Sequence, residues 1–317
     1  MPSADMRAAP ERLGVVGIDV GLEVARSFDR QSFGEPRWRP NPLQERMVAA
    51  GRLGRKTGEG WYSYAHRGAH RPEDPPAPPI GGGEGRVVAV EGVGALADAL
   101  RRRAGAAGFD VREPSTLGPD EPELIVEASV PSPSAGLALL SSDVSDVGLG
   151  LDGPPLVVTC AERSLAGRGA PGACGFDLVP PLGEDGGLVE LTRLPSTAPA
   201  AAEAAERFFA ALGLHREWVE DAPGMVLGRI VAGLVNEAAF ALGEGVGSAD
   251  DVDAGLTLGL NHPRGPVEWS EVLGTEAVLA AVDGLWEERR EERYRAAPLL
   301  RRVAMTGERL RDAVPSS

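Results

Sequence analysis

The distribution of apolar residues divides the chain into two helical ends and a middle that contains strands. Near the amino terminus Val20, Val24 and Phe28 recur at the spacing of a helix, and a second helix is predicted over residues 42–50. From Pro223 onward the apolar residues again follow the helical period. Both ends of the chain are therefore predicted to be α-helical.

The middle of the chain contains short apolar runs that are typical of buried strands. Four runs are found, at residues 87–90, 109–111, 124–128 and 156–160, with an extended segment at 215–220. Helices are predicted up to residue 107 and over 198–212. Because strands that alternate with helices form parallel sheets, the expected fold class is α/β plus all-α.

A stretch rich in proline and glycine, residues 65–84, separates the first helical region from the strands. Its composition cannot bury a core and is typical of a linker. We therefore predict a partial helical unit over 1–64, this linker, a sheet-containing domain over 85–221 and a helical domain over 222–317.

An internal repeat relates the two helical ends. Residues 16–19 and 37–46 recur as residues 273–276 and 293–302, and one single-residue gap aligns the two copies. The repeat indicates that a helical unit was duplicated.

Composition and charge exclude several classes of function. The 317 residues, of which 43% are hydrophobic, suffice for two or three small domains with cores. A net charge of -15 argues against a nucleic-acid partner, because binding to a phosphate backbone needs a basic face. No run of about 18 uncharged apolar residues occurs, and no basic segment leads into an apolar stretch at the amino terminus. The protein is expected to be cytoplasmic, with no membrane partner.

Cys160 and Cys174 are the two cysteines of the chain. Two cysteines are too few for a disulfide framework, and they lack the companions that a zinc site needs. We expect two reduced thiols and no bound metal.

The segment over residues 42–64, which ends in Gly-Glu-Gly-Trp-Tyr-Ser-Tyr, resembles the closing motif of the carboxy-terminal helical domain of the 3-hydroxyacyl-CoA dehydrogenases, the family of 3-hydroxybutyryl-CoA dehydrogenase. A second copy of that domain resembles four segments of the carboxy-terminal region. These segments are residues 221–226, 236–238, 250–253 and 259–266. The resemblance implies a reduced Rossmann-like parallel sheet flanked by two helical units. It also implies that this chain is a two-module member of the family that is truncated at the amino terminus, because no nucleotide-binding domain precedes the first helical unit.

The resemblance implies hydride transfer between C3 of a 3-hydroxyacyl-CoA and NAD, which needs a base, a carboxylate that orients the base and donors for the developing oxyanion. It puts Asp177 at the place of the catalytic histidine and Glu190 at the place of the orienting glutamate, with one residue inserted between them. Gly228 falls at the active-site asparagine and Cys160 at the serine. A free aspartate titrates near pH 4, so the base is expected to be lost unless burial raises its pKa.

The cofactor motif is represented by Gly92, Gly94 and Ala97, which satisfy the G-x-G-x-x-[G/A] spacing between a strand and a helix. An acidic residue should follow about 20 positions later to hold the ribose. Glu113 lies nearby, but Pro114 follows it directly and the next strand begins about ten residues on. A helix is therefore expected to be missing there, and NAD binding, which the resemblance implies, lacks part of its pocket.

Two functions remain open. The first is a 3-hydroxyacyl-CoA dehydrogenase family protein of acyl-CoA and fatty-acid metabolism, inactive alone or half of a split enzyme whose upstream-encoded dehydrogenase subunit supplies the cofactor domain. The second is a non-catalytic dimerisation or CoA-binding scaffold, since fold alone guarantees no chemistry. Acyl-CoA is the expected small ligand, and either a homodimer or pairing with that subunit is expected.

Overall fold

The computed structural model of the chain describes residues 16–64, 76–117, 122–128, 153–181 and 186–313. Within these residues, the strands of one seven-stranded sheet lie between two helical units along the sequence. The strands are β1 (Val87–Glu91), β2 (Asp110–Arg112), β3 (Leu124–Glu127), β4 (Leu156–Thr159), β5 (Cys174–Asp177), β6 (Leu188–Thr192) and β7 (His215–Trp218). The spatial order is β2-β1-β3-β4-β5-β6-β7.

The sheet is parallel except where β5 and β6 pair. The four predicted runs correspond to β1 to β4, and the extended segment at 215–220 contains β7. The predicted parallel sheet is confirmed, but the sequence pattern missed β5 and β6, whose antiparallel pairing is the exception in it. Polar residues at the centre of the sheet, Asp177 and Glu190, interrupt the apolar pattern that marks a buried strand.

Helices cover the sheet and give it an apolar core. They are α3 (Ala95–Ala106), the short α4 (Leu165–Arg168) and α5 (Pro199–Ala211). Leu100 of α3 and Phe209 of α5 are buried in the same cluster as Phe176 of β5. The rings of Phe176 and Phe209 lie 5.2 Å apart. This packing fixes β5, and with it Asp177, against the helical layer.

The carboxy-terminal domain is wholly helical, as predicted. Its elements are α6 (Leu227–Gly243), α7 (Ala249–Leu260), α8 (Pro266–Leu273), α9 (Thr275–Arg289) and α10 (Pro298–Thr306). Asn236 of α6 is buried; its side chain donates to the carbonyl of Arg295 (3.0 Å) and accepts from the amide of Ala297 (2.8 Å). These bonds join α6 to the start of α10, because a buried amide group needs its partners.

The amino-terminal unit repeats the last part of that domain. It contains α1 (Ile18–Gln31), a 3-10 turn (Pro36–Trp38) and α2 (Pro42–Ala49), matching α9, the 3-10 turn Glu292–Tyr294 and α10. Gly17 before α1 (φ 117°, ψ 131°) and Gly274 before α9 (φ 84°, ψ 135°) share a backbone conformation that favours glycine. The structure thus confirms the duplication inferred from the sequence.

Arg37 forms a contact between the amino-terminal unit and the carboxy-terminal domain. Its guanidinium lies 3.9 Å from the ring centroid of Phe240 and pairs with Glu237 (3.4 Å), both on α6, and with Glu244 (3.2 Å), which follows the last residue of that helix. Only 8% of the Arg37 side chain is exposed. A cation stacked on an aromatic ring and paired with two carboxylates stabilises this contact.

The end of the predicted linker is docked on the sheet domain rather than free. Ile80 forms an isolated bridge with Leu212, and the amide of Gly83 donates to the carbonyl of Ala107 (2.8 Å). Gly83 is buried, and a Cβ there would overlap the backbone at Gly108, so its lack of a side chain permits the contact. Residues 65–75 of the linker and 1–15 of the first unit lie outside the described residues.

In the part of the chain that the structure describes, no helix is long and apolar enough to cross a bilayer.

Candidate active site

Asp177 and Glu190 face each other across the one antiparallel pair of strands in the described sheet. Their Cα positions are partners in the register of β5 and β6. Both side chains are buried, Asp177 being 4% and Glu190 5% exposed. The predicted proximity of these two carboxylates is therefore present in the fold.

Glu190 binds the amino terminus of α6. Its Oε2 atom accepts hydrogen bonds from the amides of Val226 and Leu227, both at 3.0 Å. Burial raises the pKa of Glu190, whereas these two hydrogen bonds and Arg229 lower it. A carboxylate at this position satisfies amides that have no partner within the helix. Glu190 thus holds α6 in place.

Asp177 carries an unsatisfied buried oxygen. Its Oδ2 atom has no hydrogen-bond partner among the described residues. Burial, and then the charge of Glu190, raise the pKa of Asp177 to about 7, although a hydrogen bond from the backbone at Leu178 opposes the increase. The Asp177 carboxyl is therefore much less acidic than that of a free aspartate.

Gly228 lies directly against that oxygen. A Cβ atom at position 228 would overlap Asp177 Oδ2. Glycine at 228 and aspartate at 177 are therefore compatible with each other, whereas a larger residue at 228 would require Asp177 to move. The two replacements that the sequence suggested are in contact.

The Cys160 thiol points away from this group. Cys160 is fully buried in an apolar cluster with Leu165 and Met225, and its Sγ lies 3.8 Å from the carbonyl of Val158. Burial, and then the charge of Asp221, raise the pKa of Cys160 far above its ordinary value. Its neighbour Ala161 lines the cavity above Asp177, whereas Cys160 is not among the residues that line it.

A cavity of about 480 Å³ lies above Asp177 and Gly228. Its walls come from the start of α3, the end of β5, α6 and the first half of α9. The lining includes Gly94, Asp177, Gly228, Ala277 and Ala281. Most of the lining is apolar, and its acidic side chains are Asp177 and Glu276. A cavity of this size with few polar groups is typical of a small-molecule site.

The predicted cofactor turn has the expected backbone geometry. Gly92 (φ 121°) and Gly94 (φ 99°) lie between β1 and α3, and Ala97 is buried in the first turn of the helix. Nothing lies within 4 Å of a Cβ built on Gly94, and no side chain caps α3. An open helix amino terminus after a glycine turn suits a diphosphate. Of the three motif residues, Gly94 lines the cavity.

The rest of the edge does not suit NAD. Glu91 and Glu127 are register partners at the ends of β1 and β3, and burial, followed by the charge of Glu127, raises the pKa of Glu91. A carboxylate of Glu91, directly before Gly92, would repel a diphosphate, whereas Glu127 is paired with Arg168. Glu113 is exposed and leads directly into the 3-10 turn Pro114–Thr116, so no helix follows β2 there. The described residues fit a diphosphate turn but not a complete dinucleotide.

A second group of charges at this edge was not predicted. Arg168 of α4 is 10% exposed and forms ion pairs with Glu127 and with Glu162 (3.5 Å). Burial raises the pKa of Glu162 to about 7. Glu127 lies 41 residues from Arg168 in the sequence, and the three residues belong to no motif, so only the folded arrangement reveals the group. No cluster that could hold a metal ion occurs among the residues placed by the structure.

The loop after β4 joins the sheet domain to α9. Glu288 of α9 accepts from the amide (2.9 Å) and the hydroxyl (3.0 Å) of Ser164. A Cβ atom on Gly284 would overlap the carbonyl oxygen of Glu162. Ala281, one turn before Gly284 on α9, lines the cavity, so this contact lies next to one of its walls.

Comparison with known proteins gives these features a family context. Residues 3–64 and 224–313 match the family model for the 3-hydroxyacyl-CoA dehydrogenase carboxy-terminal domain. The chain is 38% identical over 120 residues to 3-hydroxybutyryl-CoA dehydrogenase of Bradyrhizobium diazoefficiens, covering 38% of this chain and 41% of that protein. It is 27% identical over 297 residues to 3-hydroxyadipyl-CoA dehydrogenase of Escherichia coli K12, covering 93% of this chain and 50% of that protein.

A solved structure shows the same fold. The crystal structure of 3-hydroxybutyryl-CoA dehydrogenase from Escherichia coli K12 matches with a TM-score of 0.60 and 24% identity, covering 94% of this chain and 51% of that one. The Rossmann-like sheet with attached helices is therefore the fold of these dehydrogenases. The chain spans half or less of the length of the curated relatives described above.

Proposed function

Because this chain belongs to the 3-hydroxyacyl-CoA dehydrogenase family, we propose that it is a cytoplasmic protein of acyl-CoA metabolism that does not oxidise 3-hydroxyacyl-CoA by itself. It forms one half of an enzyme whose chemistry is supplied by a dehydrogenase partner. The observation that carries this proposal is the contact between the Asp177 carboxyl and Gly228, where a base and a hydrogen-bond donor would be needed.

The pKa of Asp177 alone does not disable the site. Burial raises this pKa to about 7, which is the condition under which the aspartate could still act as a base near neutral pH. The geometry is the obstacle. Asp177 is only 4% exposed, so its carboxyl is poorly accessible to a substrate. Glu190 accepts hydrogen bonds from the backbone amides at the start of α6 and does not orient Asp177.

The groups that would stabilise an oxyanion are also displaced. Gly228 has no side chain to donate, and the Cys160 thiol lies in the apolar core behind the cleft. Removing one oxyanion donor costs an enzyme about a hundredfold to a thousandfold in rate. NAD, when bound to members of this family, supplies the hydride acceptor. The described residues fit the diphosphate of NAD at the glycine turn but not the whole dinucleotide.

The proposal predicts that the purified chain alone produces no NADH from 3-hydroxybutyryl-CoA and NAD. Absorbance at the NADH band should rise no faster than in the enzyme-free blank, at least about a thousandfold more slowly than with 3-hydroxybutyryl-CoA dehydrogenase of Bradyrhizobium diazoefficiens as positive control. Turnover that disappears in Asp177→Asn would overturn the proposal, because it would make Asp177 a working base.

The second candidate is a non-catalytic scaffold that dimerises or binds CoA esters. The cavity favours the binding part of this idea, because its lining is mostly apolar and the α3 amino terminus opens into it. Calorimetric titration with butyryl-CoA separates the candidates. Saturable binding without turnover favours the scaffold, whereas its absence leaves the partner-dependent role.

A further inference from the structure

One face of α1 is apolar and exposed. This exposed stripe consists of Val20, Val24 and Phe28, which are 43%, 50% and 53% exposed. They are spaced four residues apart and therefore lie on one side of the helix. Large apolar side chains aligned in this way are typical of a surface that contacts another macromolecule.

The duplication shows what this face contacts in the other copy. The repeat aligns Val20, Val24 and Phe28 with Ala277, Ala281 and Leu285 of α9. Ala281 is 8% and Leu285 1% exposed, and Ala277 and Ala281 line the cavity above Asp177. The matching face of α9 is therefore mostly buried, and its first half forms a wall of the cleft above Asp177.

Two further positions extend the match along the helix. Ser27 aligns with Gly284, which lies against the carbonyl of Glu162, and Gln31 aligns with Glu288, which accepts two hydrogen bonds from Ser164. A glutamine carbonyl can accept hydrogen bonds as that carboxylate does. Because serine carries a Cβ where glycine has none, the loop that faces α1 must lie slightly farther away than the loop that faces α9.

We propose that the exposed stripe of α1 docks on the nucleotide-binding domain of a partner chain of this family and forms a wall of the partner's cleft. A second copy of this chain is a poorer occupant. The loop that would receive the stripe, residues 161–164, is already held by Gly284 and Glu288 of its own α9. The partner must therefore carry a sheet domain whose loop after the fourth strand is free.

This inference deepens the proposed function and rests on its partner. It is separate from the claim of inactivity, because it concerns binding of α1 and is measured without turnover. The stripe also explains why the partner's activity should depend on this chain: a missing cleft wall leaves the site open to water and the substrate unpositioned.

The test is affinity purification of the full tagged chain from its native cells, with mass-spectrometric identification and stoichiometry of whatever is retained. The expected result is retention of one partner chain, with a nucleotide-binding domain of this family, for each tagged chain. The Val24→Glu variant should retain at least tenfold less of this partner. The matched control is Leu258→Glu, because Leu258 on α7 is 86% exposed and lies outside the stripe. Circular dichroism checks that both variants fold.

Several results would overturn the proposal. They are recovery of the chain alone, recovery as a homo-oligomer, a partner without such a domain, or equal retention by Val24→Glu and wild type. In the retained complex, hydrogen exchange of residues 20–31 should slow relative to the free chain, and unchanged exchange would also contradict the docking. Turnover by the isolated chain would reject the proposed inactivity and leave these binding results unaffected.

Discussion

Replacing Asp177 by asparagine is expected to stabilise the folded chain by up to about 4 kcal/mol at pH 8 and by almost nothing near pH 4. Burial and the neighbouring Glu190 raise the pKa of Asp177 from 3.8 to about 7. Each pH unit between these values changes the free energy of unfolding by about 1.4 kcal/mol. Asparagine has the shape of the protonated carboxyl and carries no charge to be buried.

The sign of this pH dependence of stability depends on whether the folded or the unfolded chain holds the proton of Asp177. Below pH 3.8 Asp177 is protonated in both the folded and the unfolded chain, so its contribution is fully favourable. Between pH 3.8 and about 7 the unfolded chain ionises while the folded chain keeps the proton, and stability falls as pH rises. Above about pH 7 the loss is complete and constant.

Urea unfolding of wild type and Asp177→Asn at a series of pH values from 4 to 8 measures this effect. The control is Glu203→Gln, whose side chain is 72% exposed on α5 and whose replacement should change stability by less than about 0.5 kcal/mol. A variant that is less stable than wild type at pH 8 would show that the Asp177 carboxylate is ionised and paired in the folded chain.

Replacing Gly284 by alanine is expected to destabilise the chain by about 3 kcal/mol or more. The new Cβ would overlap the backbone carbonyl oxygen of Glu162, which cannot move away as a flexible side chain could. The contact joins α9 to the loop after β4, so the substitution should also loosen the hydrogen bonds between Glu288 and Ser164.

The matched control for this prediction is Gly255→Ala in α7. Nothing lies within 4 Å of a Cβ built on Gly255, so alanine should stabilise that helix by up to about 1 kcal/mol. Thermal or urea unfolding should therefore move in opposite directions for the two variants. Equal stabilisation by both would mean that α9 does not lie against the Glu162 carbonyl.

Local patterns predicted the elements that have strong local signals. The run at 87–90, Gly92 and Gly94, and the helix up to residue 107 became β1, the glycine turn and α3, because a buried strand, positive φ values and an apolar helix face each leave a mark in neighbouring residues. The repeat predicted that α1 and α2 would copy α9 and α10.

The centre of the site could be located but not interpreted from the sequence. The resemblance placed Asp177, Glu190 and Gly228, and the fold brings these three together. Their chemical properties depend on tertiary burial. The raised pKa of Asp177 and the hydrogen bonds from the α6 amides to Glu190 arise from contacts between residues that are distant in the sequence. The orientation of the Cys160 thiol into the core likewise depends on the pleat of β4 and its continuation.

The antiparallel pairing of β5 and β6 had no local signal. Both strands are short and carry a carboxylate in the sheet centre, so their apolar pattern is weak. Their pairing is set by the long-range contact of Phe176 with α5 and by the return of the chain after residue 186.

The most direct measurement of the central claim, that this chain's cleft does not carry out the family's oxidation, is a single-turnover experiment. The chain is mixed at stoichiometric concentration with NAD and 3-hydroxybutyryl-CoA that bears deuterium at C3, and the nicotinamide product is analysed by mass spectrometry. No deuterium should reach the nicotinamide above the level of an enzyme-free sample. Stoichiometric transfer by wild type, lost in Asp177→Asn, would contradict the account.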